Sequence, residues 1–150
     1  MPNIITSIIA PVNESIWEHL KILFTGILIS GVLQKIIVIK NKLDISNVCI
    51  SNFIGAFLSM PIFLIIYVPI YNAIGKKFGL TIFVMFLVIV IAELISYYIM
   101  NKKDLYLENY AILFTVMVYI VFLILTYYPL NNGIFIDPIS NKSGINIDKY

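Results

Sequence analysis

Arginine is absent from this 150-residue chain, and cysteine, histidine and tryptophan occur once each. Each shortage excludes something. Without arginine, ten lysines stand against eight acidic residues, and the formal charge of +2 is scattered along the chain. No basic face reads as a nucleic-acid footprint, so nucleic acid is not an expected partner. No run of basic residues points to recognition of anionic lipid. Cys49 has no second cysteine to pair with, which excludes a disulfide within the chain, and it reads as a small buried hydrophobe. There is no phosphate-cradling glycine loop and no Ser/His/Asp order that suits nucleophilic catalysis. Nothing alternates with a period of two over the length of a barrel strand.

What the chain has in excess is apolar side chains. They make up 61% of it, with only 12% charged, against about 45–50% and about 25% in soluble domains. A globule of this size must leave much of its area facing water, and so cannot hide such a surplus. A bilayer can. Four apolar stretches are long enough to cross one, at about residues 20–39, 48–70, 80–100 and 110–128. In hydrocarbon every backbone N–H and C=O must find a partner within the protein, which runs of this length manage only as helices. The expected fold is therefore all-α: a polytopic membrane bundle, one domain over residues 1–150, with the lipid bilayer as its surroundings. Short links at Lys40–Asn47, Gly75–Gly79 and Asn101–Asn109 join antiparallel neighbours. The segment 129–150 is a polar tail with turn signals at Asn132-Gly133 and Asp137-Pro138. It is expected to pack through Ile134, Phe135 and Ile136. Ile4 to Ala10 is apolar but too short to span, and it carries neither the basic start nor the cleavage pattern of a signal peptide.

With four spans, both termini and the second loop share one face. That face has Lys21, Lys76 and Lys77 close in, with Lys142 and Lys149 farther out, while Lys35, Lys40, Lys42, Lys102 and Lys103 lie opposite. The excess favours first and third loops in the cytoplasm and both termini outside the cell membrane.

The stretch Pro11 to Lys21, PVNESIWEHLK, holds the sole histidine and tryptophan. Pro11 breaks whatever precedes it, and Asn13 and Ser15 suit a helix N-cap. Ser15 and Glu18 fit a capping box, Glu14 and Glu18 suit the positive end of a helix dipole, and Trp17 suits the headgroup level. The same residues allow a functional interpretation. Glu14, Glu18, Lys21 and Thr25 form one polar stripe, with Ser15 and His19 beside it. Two carboxylates one turn apart repel unless a cation, a proton or Lys21 compensates. A divalent metal bound by Glu14, Glu18 and His19 would meet that need, and with one Glu handling a proton the set would be a metal-assisted hydrolase.

Glu93 is a second candidate, inside the third span, with Tyr97 one turn on and Ser96 between. An ionisable residue at such a place points to an ion or proton path. The structural alternative is a protonated Glu93, or one bonded to a nearby Tyr or Ser. At 1.5 Å per residue Glu93 is about 20 Å from the His19 end, too far to share a metal with it. Gly26 with Ser30, and Asn52 with Gly55 and Ser59, read as small-residue helix contacts. Pro61 and Pro69 read as kinks in the second span, with Asn72 near a loosened carbonyl. Tyr127, Tyr128 and Pro129 read as an interfacial stop.

NESIWEHLK at Asn13 to Lys21, followed by a span, resembles the signature Asn-Glu-Ser, Val or Ile, Trp-Glu-His-Leu-Lys of an uncharacterised family of small bacterial multi-pass membrane proteins. The tail YYPLNNGIFIDPISNKSGI is similar to that family's ending, with an Asp-Pro and a closing Gly-Ile, although Lys142-Ser143-Gly144 departs from the usual pattern. The resemblance implies multi-pass topology and draws attention to Asn13, Glu14, Ser15, Trp17, Glu18 and His19. It also implies a hydrophobic helix ahead of the motif; this sequence begins with Met-Pro-Asn where that helix should finish, so that either the chain is shortened or this member has lost it. It implies no reaction. The expectation is a non-enzymatic membrane component that assembles with itself or a membrane partner, or passes a small solute or ion.

Overall fold

The computed structural model of the chain describes residue 7 and residues 9–145. Most of the apolar stretch that starts at Ile4, and the distal Lys149, fall outside the described residues. Four helices carry the fold: α1 (Ile16–Lys40), α2 (Val48–Ile74), α3 (Phe78–Met100) and α4 (Glu108–Tyr127). All four are long and apolar enough to cross a membrane. Among the described residues there is no β-strand, only an isolated antiparallel bridge between Ile136 and Ser143. The expected all-helical class and the four spans stand. The first helix starts earlier than the apolar run, at Ile16, because Ser15 provides the stop that a cap requires.

The chain forms two compact units, one of residues 1–22 and 116–150, the other of residues 23–115. In the larger unit α2 and α3 pack along a seam of small and β-branched residues. Asn52, Gly55, Ala56, Ser59, Phe63 and Tyr67 are buried from α2, and Val84, Val88, Ala92 and Ser96 from α3. Lipid tails are as apolar as leucine, so hydrophobicity alone does not bring such helices together; close backbone approach and interhelical hydrogen bonds do. Gly55 supplies the first. A Cβ placed there would sit 2.8 Å from the Ala92 carbonyl oxygen. Tyr67 supplies the second, its hydroxyl 2.8 Å from Thr81 Oγ1. The expected contact through Asn52, Gly55 and Ser59 is therefore present. The expected one through Gly26 is not: Gly26 has open space where its Cβ would be, and Gly31 is the tight position, where an added Cβ would lie 2.5 Å from Asn52 Cγ. Pro61 and Pro69 lie within the continuous helix α2, both exposed.

One end of this unit is tied by polar groups that pair across long sequence separations. Asn47, fully buried and left-handed at φ 62°, donates to the carbonyls of Lys102 and Lys103 at 3.1 Å each and accepts from Leu105 N–H at 2.9 Å. The Glu108 carboxylate accepts the Cys49 N–H at 2.9 and 3.1 Å. It thereby caps α2 from the first turn of α4, a favourable place for negative charge. Lys35 lies 3.8 Å from it. Cys49 is half-buried here, less enclosed than its sequence suggested.

Gly31→Ala and Gly55→Ala are expected to destabilise the protein by roughly 1–3 kcal/mol each through overpacking. Gly26→Ala should be neutral or slightly stabilising. Unfolding of the three variants in detergent micelles checks the order, and equal effects at all three would contradict the close approach.

Candidate functional site

The residues singled out by sequence separate into two places, one in each unit. In the smaller unit the NESIWEHLK motif forms the entry to α1. Asn13 Oδ1 accepts the Ser15 N–H at 2.9 Å, and Ser15 Oγ accepts the Glu18 N–H at 3.4 Å. This is half of the expected capping box. Glu18 does not reach back to Ser15; its Oε2 accepts the Val12 N–H at 3.1 Å instead.

Glu18 and Lys21 are buried to 1% and 0% exposure, one turn apart, with Nζ 2.8 Å from Oε2. A buried ion pair costs more in desolvation than it returns unless the remaining donors and acceptors are also satisfied. Here they are. The three ammonium protons have three acceptors: Glu18 Oε2, the Ser7 carbonyl at 2.8 Å and Thr126 Oγ1 at 3.0 Å. The Thr126 hydroxyl in turn donates to Glu18 Oε1 at 3.2 Å. The network is closed and holds no group in reserve for a substrate.

His19 and Glu14 lie beside this network. Because the Ser15 carbonyl can only accept, His19 Nδ1, 2.7 Å away, carries the proton, and Nε2 faces Glu14 Oε2 at 3.9 Å. Glu14 is exposed at the surface. Glu18 thus turns to Lys21 while Glu14 and His19 turn to each other. Among the described residues no group of three or more His, Cys, Asp or Glu gathers to hold a metal ion.

The tail completes this unit. Asn13 Nδ2 donates to the Gly144 carbonyl at 3.2 Å, and Ile145 N–H donates to the Thr126 carbonyl at 3.2 Å. Gly144 has φ 67°, and a Cβ on it would lie 2.7 Å from that same carbonyl, so only glycine fits. Trp17 stacks with Phe135 and meets Phe122 edge-on, ring centroids 4.9 and 5.2 Å apart. It belongs to an aromatic cluster. Of the three tail residues expected to pack, Phe135 is buried, Ile134 is partly so, and Ile136 is exposed. Asp137 is buried because its own turn satisfies it, through Ile139 N–H and Ser140 Oγ at 2.9 and 2.8 Å.

In the larger unit Glu93 is half-buried on α3, seven residues before Met100 and so about 10 Å inside the helix end. Gln34 Nε2 on α1 donates to its Oε2 at 2.9 Å, and Gln34 Oε1 accepts from Asn52 Nδ2 on α2 at 3.1 Å. Glu93 Oε1 has no partner among the described residues. Glu93 opens into a cavity of about 370 Å³ lined by Gln34, Ile89, Val90, Leu94, Tyr97 and Met100. Among the described residues Asn52 Oδ1 and Ser96 Oγ, like Trp17 Nε1 in the smaller unit, are buried without a hydrogen-bond partner, an uncommon condition for polar atoms in a protein interior. Sequence reading found Glu93 and Tyr97. It missed Gln34 and Asn52 as members of the same polar chain, although two amides within apolar runs are a readable signal.

Removing one member of a buried pair leaves an unpaired charge, which costs roughly 3–5 kcal/mol. Lys21→Met and Glu18→Gln should each destabilise the protein by about that much, and the double variant by clearly less than the sum. Additive losses in a double-mutant cycle would contradict the closed network.

No curated protein and no solved structure matches the chain. A family model does, over residues 2–145. That span takes in the motif at the start of α1, all four helices and the tail that packs against the motif, so the chain belongs to DUF6512, a family of unknown function.

Proposed function

We propose that this multi-pass membrane protein is a non-enzymatic component that admits a small solute or ion at the Glu93 cavity. The observation that carries the proposal is the contrast between its two acidic places. Glu18 is sealed by Lys21, Thr126 and Val12 N–H, whereas Glu93 lines a cavity within a span and has one carboxylate oxygen without a partner among the described residues. A carboxylate at that depth is costly and marks a route for ions or solutes. The polar chain Glu93–Gln34–Asn52 carries polar groups beyond the carboxylate. Metal-assisted hydrolysis by Glu14, Glu18 and His19 gains no support, because Glu18 faces its lysine.

Assembly with a second copy or a membrane partner is a second reading. It is supported by how little of each span is covered, between 17% and 28%. For sidedness, we infer a place in the cell membrane with both termini on the outer face. The reading is supported by the excess of Lys35, Lys40, Lys42, Lys102 and Lys103 near the ends of the spans over Lys21, Lys76 and Lys77 opposite.

In proteoliposomes the wild-type protein is expected to carry a flux of protons, potassium or a hydrophobic cation above that of empty vesicles. Glu93→Gln should cut it at least ten-fold, while His19→Ala leaves it unchanged. No flux of any of the three probes, or an undiminished flux in Glu93→Gln, overturns passage through this cavity.

A further inference from the structure

We infer that the Glu93 cavity binds a hydrophobic organic cation: a molecule with one delocalised or shielded positive charge and an apolar body. The inference rests on the cavity being the working site proposed above, and it names the class of occupant.

The charge comes first. Glu93 contributes the only carboxyl group of the lining, and Gln34 donates to its Oε2 at 2.9 Å, which leaves Oε1 without a partner among the described residues. Gln34 Oε1 is itself engaged by Asn52, so the site offers a carboxylate and little other oxygen. A divalent ion asks for six or more oxygen ligands, and a hydrated one would have to shed water against Ile89, Val90, Leu94 and Met100. An organic cation needs neither. Its apolar body replaces the hydration shell, its charge meets one carboxylate, and Tyr97 on the same wall adds an aromatic face of the kind that attracts cations.

Size and access agree with this chemistry. A volume of about 370 Å³ lies within the range of cavities that hold small organic ligands, about 300–1,000 Å³. Val90, Leu94 and Tyr97 are exposed on the outer surface of α3, so the opening faces whatever surrounds the helix, and a hydrophobic cation can enter from the lipid. A phospholipid headgroup amine fits less well. Glu93 lies about 10 Å inside the end of α3, below the level at which headgroups rest.

The test uses the full chain in detergent micelles, with tetraphenylphosphonium as the probe and tetraphenylborate, of the same shape and opposite charge, as the control. Equilibrium dialysis should show saturable binding of the cation near one equivalent and only non-saturable partitioning of the anion. Glu93→Gln preserves the acceptor for Gln34 and should weaken cation binding at least ten-fold. Tyr97→Leu should weaken it several-fold, and Tyr98→Leu, outside the cavity, not at all. Equal binding of both probes, or wild-type binding by Glu93→Gln, overturns the inference. The two proposals fail separately. Cation binding without flux of any probe leaves the inference standing and removes passage, and flux of protons or potassium without cation binding does the reverse.

Discussion

Hydrocarbon offers a polar group no hydrogen bond, so every donor and acceptor inside a span must be closed by the protein itself or remain at a cost. That constraint organises this molecule more than any apolar contact does. Backbone groups meet it by forming the four helices. Side chains meet it one at a time, and where they succeed the result is architecture: Asn47 holding three backbone groups of a distant loop, Glu108 capping α2 from α4, Tyr67 bridging to Thr81. Each of these joins two helices or a helix and a loop, so each polar group placed in an apolar run also specifies which segments lie together. The apolar residues set the medium, and the polar minority sets the arrangement within each unit.

In the smaller unit the same rule explains why the opening motif and the closing tail belong together. Asn13 binds the Gly144 carbonyl, Trp17 packs on Phe135, and Thr126 serves both ends, with its hydroxyl in the Glu18–Lys21 network and its carbonyl accepting from Ile145. The positive φ of Gly144 and the 2.7 Å its Cβ would keep from the Thr126 carbonyl leave that tail position to glycine. The stretch that looked most like chemistry in the sequence forms a clasp, with Glu18 and Lys21 paired inside it and Glu14 at the surface beside His19.

What sequence made legible was whatever depends on local runs or single residues. The spans were readable because apolar length is a local property, and Glu93 because a charge inside such a run is conspicuous. The start of α1 was readable as well, from the Ser15 cap, although apolar counting alone begins only at Leu20. Partners set by tertiary contact were not legible. Nothing near Glu108 announces that it caps a helix beginning 60 residues earlier, at Val48, and spacing cannot tell Gly26, which faces open space, from Gly31, which meets Asn52. Both glycines sit in the same helix, and only the position of α2 separates them.

The different fates of Glu18 and Glu93 show how far local spacing can go. Glu18 has Lys21 three residues on, on the same helical face, so a cation is built into its own turn and burial is tolerable. Glu93 has Ile89, Val90, Ser96 and Tyr97 at the corresponding offsets, and none of them carries a charge. No residue on its own helix can therefore neutralise it, and the neighbouring helix sends only a neutral amide, that of Gln34. Among the described residues no cation pairs with it. A carboxylate left in that position, in a cavity with one aromatic and several aliphatic walls, selects for an occupant that brings its charge wrapped in its own apolar surface.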